Sequence, residues 1–572
     1  MLVSSGVMFG GCNKMLDLDP LDQIADGNYW KKENDFKLFA NSFYGWRRDF
    51  SAVISSNPHS DYRSDLVTFP TPDAYSNGSN TIPATDGNFS GAFSRIRLAN
   101  TLLENAQKFA NKSEIAQYVA EARFFRAYVY FDLLQLFGDA PIIEGVVDVT
   151  DPVLVSKRND RSEVADFIIA DLKAAIPALP LESAIAAADK GRVSQGTAQA
   201  FLSRVALFEG TWQKFRDNAS RGTELLNIAA SAARDVMNSR QYELFKPAAL
   251  GDSALKYLFI LEDAKSNPAS IAKNGNKEYI FSNKHDQILN PIGTNITHGL
   301  FSNVALITRK LANMYLSQNG LPVDNVNNTQ FQGYNTMTSE FDNRDNRMRY
   351  TLILPKKAYW TNDNPRVTWT GDATDLATAV TTFYIPGTSG TGYGNQKWCS
   401  ERDVRDANEG YDFPIIRYAE VLLNYAEAVY ERDNAISDAD LDLSFNLVRN
   451  RVNPDMPKLS NAFVTTNGLN MRAEIRRERT IELFFEGFRI DDLKRWKTAE
   501  TEMPQNLLGI KYTGTEYATS TLGGWNTANK PKNADGVIIF ESGRVWSAKN
   551  YLYPIPADQL KLNPNLGQNP GW

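Results

Sequence analysis

Four glutamates, Glu474, Glu478, Glu482 and Glu486, recur at every fourth residue in MRAEIRRERTIELFFEGFRIDDLKRW, Met471 to Trp496. On a helix this spacing aligns them as one acidic stripe. Three chemistries can use such a stripe. A dinuclear metal site takes carboxylates from packed helices, but the Glu-x-x-His partners it needs are missing here. A glycosidase needs two carboxyls about 5 to 10 Å apart across an open cleft. These acids instead share a helix with Ile475, Ile481, Phe484, Phe485 and Phe488, which must be buried. An ion-pair lattice needs only cations. Arg476, Arg477, Arg479 and Arg489 stand in the same stretch, and Arg449 and Arg451 lie just upstream in NLVRNR. We read the stripe as a structural lattice that fixes the register of packed helices.

Other catalytic signatures are poor. The chain has no HExxH, GxSxG, Gly-Lys phosphate loop or GxGxxG. Ser253-Ala-Leu-Lys256 fits SxxK without the Lys-Thr-Gly or Ser-Asp-Asn that should accompany it. Three histidines, His59, His285 and His298, leave little room for zinc or histidine-based catalysis. Asp17-Leu-Asp19 and Asp440-Leu-Asp442 are too short to be calcium loops. No catalytic residue, cofactor or metal is expected. The net charge of −6 argues against a nucleic-acid surface.

What is left is aromatic, amide and acidic side chains on loops. A sugar presents apolar C–H faces and hydroxyl rims, so its binder wants flat aromatic platforms edged by hydrogen-bonding groups. One loop offers Asp61, Arg63, Asp65, Tyr75 and Asn77. A later region offers Asn295, His298, Tyr359, Trp360, Arg366, Trp369, Tyr393 and Trp398. From these we select Asp65, Tyr75, Asn77, Asn295, His298, Trp360, Trp369 and Tyr393 as ligand-binding candidates. The competing reading is that each aromatic plugs a small core under its own loop. Trp360 and Trp369 stand out because Asn, Asp, Thr and Pro surround them.

Helices must position these loops. Apolar spacing predicts helices over Asn28–Arg48, Asn88–Phe109, Ser113–Phe137, Arg161–Ala175, Ser194–Phe215, Arg221–Ser239, Pro414–Arg432, Asp438–Arg451 and Met471–Phe488. The helix over Ser113–Phe137 carries two adjacent apolar stripes and so contacts partners on both sides. Strands are expected at Glu278–Phe281 and Arg349–Leu354, and a helix at Leu306–Leu316. The pattern describes a mostly α protein, an irregular α-solenoid of helical hairpins with an inserted loop-rich lobe carrying short strands. The divisions are 1–12; 13–240, with the early ligand loop at 51–87; the lobe at 241–412; and 413–572. The tail Leu552–Trp572, rich in Pro and Asn, should wrap back onto the helices.

The Met471–Trp496 run also resembles the C-terminal signature of SusD/RagB-like outer-membrane lipoproteins. Four further blocks resemble the same family in the same order: EARFFRAYVYFDLLQLFGDAPII, GRVSQGTAQAFLSRVALF, PIIRYAEVLLNYAEA and LYPIPADQLKLNPNLGQNPGW. The resemblance implies tetratricopeptide-like hairpins and a surface-exposed protein that binds glycan and delivers it to a TonB-dependent outer-membrane transporter. Peptide uptake in the same role is the main variant, and an all-α glycoside hydrolase is the rival. The family places its ligand platform on the early loop and the lobe but has no fixed binding motif. Met1 to Gly11 resembles the end of a lipoprotein signal, which would make Cys12 the lipid anchor; the alternative is an ordinary terminus with a thiol. No Lys or Arg precedes Cys12, and Phe9 sits where a small aliphatic residue is usual. The missing basic region suggests a true start upstream of Met1.

Overall fold

The computed structural model describes residues 29–55, 57–294, 296–300, 305–355, 390–400, 407–519 and 530–572. Cys12, Asn295, Trp360 and Trp369 lie outside them, as does the side chain of His298.

The fold is mostly helical. α1 (Glu33–Asn41) runs into a 3₁₀ turn, Ser42–Trp46. Phe36 and Phe43 are buried from this segment, against the rings of Phe109 and Phe125. These two rings belong to the first hairpin, α2 (Gly87–Lys108) and α3 (Ala116–Phe137). Both expected stripes of α3 are buried, including Phe125, Val129 and Leu133 on one and Phe124, Phe131 and Leu134 on the other. α4 (Arg161–Ala175) starts at a capping box made by Asp160 and Glu163, which satisfies two otherwise orphaned N–H groups. α5 (Gln195–Lys214) and α6 (Ala219–Ser239) form the next pair. A methyl group on Gly222 would meet the Gly210 carbonyl oxygen at 2.9 Å, so these two helices touch backbone to backbone.

Short elements follow: α7 (Arg309–Met314) and α8 (Asn346–Thr351). Next come α9 (Tyr418–Asp433), α10 (Asp438–Asp442), α11 (Phe445–Arg449), α12 (Met471–Glu482) and α13 (Arg489–Arg495). The strands are β1 (Val67–Thr68), β2 (Tyr279–Asn283), β3 (Leu306–Ile307), β4 (Phe413–Arg417), β5 (Leu507–Lys511) and β6 (Val537–Glu541). Among the described residues they form antiparallel pairs, β1 with β3, β2 with β4 and β5 with β6. The first pair ties the early loop to the lobe. The tail wraps as expected: Tyr553 N–H donates to Leu136 O at 2.7 Å, and Asn569 Nδ2 donates to Phe137 O at 2.9 Å.

Several boundaries differ from the sequence reading. Phe413–Arg417 is strand, not helix; its β-branched residues pair with β2, and the helix starts only at Tyr418. Asn346–Thr351 is helix where a strand was expected over Arg349–Leu354, because the Asp345 side chain caps it by accepting from Arg347 N–H. Leu306–Ile307 joins β1 before the helix over Arg309–Met314 begins. The expected helix over Asp438–Arg451 is broken at Ser444, whose backbone leaves the helical region. α12 stops at Glu482 instead of Phe488. The chain reverses through Phe485 (φ +62°) and Gly487 (φ +81°).

The acidic stripe of α12 is an ion-pair lattice. Arg449 Nε contacts Glu478 at 3.2 Å, and Arg451 joins Glu278 (2.7 Å) to Glu482. Arg417 spans Glu278, Glu482 and Glu486 at 2.9, 2.7 and 2.7 Å. Arg347 bridges Asp345, Glu478 and Glu482 at 2.7, 2.5 and 3.1 Å. Lys397 reaches Glu486 at 2.6 Å, and burial pushes its ammonium down to about 8. Arg449 and Arg451 were foreseen; Arg347, Arg417 and Lys397 were not. Of the four arginines in the same stretch, Arg477 reaches the stripe, at Glu474 (3.3 Å). Arg479 turns to Asp492 and Arg489 to Asp65. Burial alone would raise the Glu482 carboxyl, but Arg451, Arg417 and Arg347 hold it well below the usual carboxylate range. The lattice joins β4, α8, α11 and α12 through buried ion pairs.

Candidate functional site

The early loop is clamped at its start by the chain reversal after α12. His59 Nδ1 lies 2.8 Å from Asp491 Oδ2. The Asp61 carboxylate accepts from the N–H groups of Phe485 (2.5 Å) and Arg489 (3.1 Å), which holds Phe485 in its left-handed conformation. Burial pushes the Asp61 carboxyl up to about 7 against those donors. Asp65 is buried and takes a two-pronged contact from Arg489 (2.8 and 2.8 Å) and another from Lys310 (2.6 Å). Burial would raise it, but the two cations hold its carboxyl well below the usual range.

Beyond Phe69 the loop comes to the surface and is stitched to the tail. Asp73 Oδ1 accepts from the N–H groups of Tyr75 (3.0 Å) and Ser76 (3.1 Å), shaping the turn. Asn77 O accepts from Val545 N–H at 3.0 Å, and Asn77 Oδ1 accepts from Ser79 N–H at 3.0 Å. Gly78 (φ +78°) presses on this joint, where an added methyl would sit 2.3 Å from Val545 O. Pro83 O and Ala84 O accept from Ala557 N–H and Asp558 N–H, each at 3.0 Å.

A narrow crevice of about 10 Å³ lies along this seam. Tyr75 stacks on Tyr553 with ring centres 4.7 Å apart. The Arg63 guanidinium lies 4.0 Å over the Tyr75 ring and donates to the Tyr553 hydroxyl. Lys494, Trp546 and Asn550 also line it, Lys494 and Asn550 from a buried position. Burial pushes the Lys494 ammonium down to about 8, although Asp491 favours its charged form. Trp546 is half-buried, and its indole N–H has no acceptor among the described residues. No carboxyl or imidazole lines the crevice among those residues; its lining is aromatic, amide, aliphatic and cationic.

No helix among the described residues is long and apolar enough to cross a membrane. A model described as the SusD family matches residues 267–572. The chain belongs to the SusD family. A second model of this kind, described as starch-binding and associating with the outer membrane, matches residues 40–207. A SusD-like protein of Bacteroides ovatus is 23% identical across 100% of this chain and 96% of its own length. Among solved structures, a SusD-like carbohydrate-binding protein of Bacteroides fragilis superposes with a TM-score of 0.69 at 22% identity, covering 94% of this chain and 99% of that one. Surface glycan-binding protein A of Bacteroides fluxus superposes at 0.60 and 19% identity, covering 95% of this chain and 100% of that one. At these identities the superpositions establish the SusD fold.

Within that fold, Tyr75 lies in the crevice and Asn77 beside it, on the turn that joins loop to tail. Asp65 and Tyr393 are elsewhere. Asp65 is enclosed by its cations, and Tyr393 is buried with its hydroxyl donating to Glu340 at 2.8 Å. Trp398 is also buried, its indole N–H donating to Phe485 O at 3.0 Å. For Tyr393 and Trp398 the competing reading describes the geometry: each fills a core under its loop. Sequence reasoning passed over Trp546 and Tyr553. Trp546 lies in ESGRVWSAKN, the same kind of polar surrounding that singled out Trp360.

Proposed function

We propose that this SusD-family protein captures glycans at the cell surface and delivers them to a TonB-dependent outer-membrane transporter. It is held on the membrane by acyl chains on Cys12. The observation that carries the reading is the part-exposed Tyr75, backed by Tyr553 and Arg63 and sharing the crevice with Trp546, on a loop fastened at both ends. Tyr75 and Trp546, the part-exposed rings of the crevice, can stack on a sugar ring from the surface, while the buried Arg63 and Tyr553 hold Tyr75 in place. Asn77, Asn295, His298, Trp360 and Trp369 are proposed as further ligand contacts. The relatives named for carbohydrate or glycan binding support the ligand class. Binding of about 4 to 8 kcal/mol, millimolar to micromolar, suits a protein that must release its cargo.

Affinity gel electrophoresis against a panel of polysaccharides tests this. At least one glycan should retard the wild type, and Tyr75→Ala should weaken that retention about tenfold, some 1.4 kcal/mol. No retention by any glycan, with binding to peptides instead, would transfer the same role to peptide uptake. Unchanged retention in both Tyr75→Ala and Trp546→Ala would remove the crevice from the account.

A further inference from the structure

The lattice uses one face of α12. The other face lines a separate cavity of about 630 Å³, which shares no lining residue with the crevice. This volume is in the range of small-molecule sites, about 300 to 1,000 Å³. Its wall carries five cations, Lys310, Arg472, Arg476, Arg477 and Arg489, against two acids, Asp324 and Glu502. Four of the cations have close carboxylates. Arg489 is held by Asp65 (2.8 Å), Lys310 by Asp65 (2.6 Å) and Glu502, Arg472 by Glu431 (2.8 Å) and Arg477 by Glu474 (3.3 Å).

Arg476 is different. Its nearest carboxylate is Glu431 at 3.7 Å, and Glu431 is already engaged by Arg472 (2.8 Å) and Lys214 (2.9 Å). The Nε and Nη2 atoms of Arg476 are buried with no hydrogen-bond acceptor among the described residues. Phe215 and Trp496 hold the guanidinium in place, their ring centres 5.0 and 4.7 Å away. Burial pushes its pKa down to about 10, although Glu427 and Glu431 favour its charged form. The N-terminus of α12, whose N-cap Asn470 also lines the cavity, adds partial positive charge. The lining of this cavity thus presents an excess of positive charge. An oxyanion supplied from outside would meet the part-exposed side chains of Arg476 (16%) and Arg477 (21%) through charge-assisted hydrogen bonds.

We propose that this cavity binds an acidic saccharide, with a uronate carboxylate or a sulfate ester seated against Arg476 and Arg477. The saccharide part rests on the capture reading; the charge preference does not. Calorimetric titration of the full chain at low ionic strength tests it with four probes: a uronate disaccharide, a sulfated disaccharide, a neutral disaccharide and inorganic sulfate. At least one acidic disaccharide should bind about tenfold or more tighter than the neutral one, and salt should weaken it. Arg476→Gln and Arg477→Gln should each cost about tenfold in affinity. Arg476 is packed between rings and its loss could disturb folding, so Glu502→Gln provides the complementary arm. Removing that competing carboxylate should tighten acidic ligands, which no misfolded protein would do.

Equal affinity for acidic and neutral sugars overturns the proposal. So does acidic binding indifferent to all three substitutions. Inorganic sulfate bound as tightly as the sulfated disaccharide reduces the site to an adventitious ion only and also overturns it. Polysaccharide retention lost in Tyr75→Ala, without any acidic preference, sinks this proposal and leaves the capture reading standing. Arg477-dependent acidic binding in a protein that no neutral polysaccharide retards supports this site and sinks the crevice.

Discussion

Replacing Glu482 with glutamine should destabilise the protein in a pH-dependent way. Glu482 sits at the centre of the lattice, with Arg347 at 3.1 Å, Arg417 at 2.7 Å and Arg451 also in contact, all of them buried. Breaking a buried ion pair costs about 3 to 5 kcal/mol, because the surviving charge loses its counterpart in a dry interior. Here each arginine keeps another acid. Arg417 still faces Glu278 and Glu486, Arg451 faces Glu278, and Arg347 faces Asp345 and Glu478. That redundancy places Glu482→Gln at the lower end, about 3 kcal/mol. An unfolding entropy of about 2.1 cal/mol/K per residue, over 572 residues, sums to about 1.2 kcal/mol/K, so the melting temperature should fall by about 2 to 3 °C. The Glu482 carboxyl is held low in the folded state. Its contribution is therefore complete above the unfolded pKa of about 4.3 and is lost as pH falls toward the folded value. Calorimetric melting of both proteins across pH should show the full gap at pH 7, narrowing below about pH 4. Equal melting at pH 7, or a gap that widens in acid, would refute the reasoning.

Asp65→Asn should lower the melting temperature, through loss of its contacts with Arg489 and Lys310, while glycan retention stays within about twofold of wild type. Gly78→Ala should act on both: its added methyl collides with Val545 O in a left-handed backbone, so gel retention should fall about tenfold and stability by about 1 to 3 kcal/mol. Lys494 holds its proton only below about pH 8 in the folded chain, against about 10.4 for an exposed lysine. Between those values the unfolded chain binds the extra proton, so stability rises with pH. Wild type should therefore gain on Lys494→Met as pH climbs from 8 to about 10, read by parallel denaturation curves.

The fold was legible where local chemistry decides structure. The capping box at Asp160 and the apolar spacing of Arg161–Ala175 give the observed α4, and the two stripes of α3 foretell a helix packed on both sides. Legibility failed where a distant partner decides. Nothing within Phe413–Arg417 reveals that β2 waits to pair with it, and Asn346–Thr351 turns on a cap rather than on its β-branched neighbours. The lattice was readable as a need for cations. Arg449 and Arg451 lie close enough in the chain to be guessed, whereas Arg347 and Arg417 arrive from elements whose place only the fold supplies. At the site, Tyr75 was visible as an aromatic among turn residues. Its stacking partner Tyr553 was not, since LYPIPAD reads as packing until the tail is seen lying along the loop. Asp65 carries the right chemistry for a ligand, yet its charge is absorbed by a helix hundreds of residues away in the chain.

The account holds that this SusD-family protein binds a glycan without cleaving it. The most direct test is one incubation of the purified chain with each polysaccharide of a panel, measuring the bound fraction and new reducing ends together. The account predicts a saturable bound fraction for at least one glycan and reducing ends at the level of the protein-free control. Reducing ends that rise with time and protein concentration, or no bound fraction with any glycan, would contradict it.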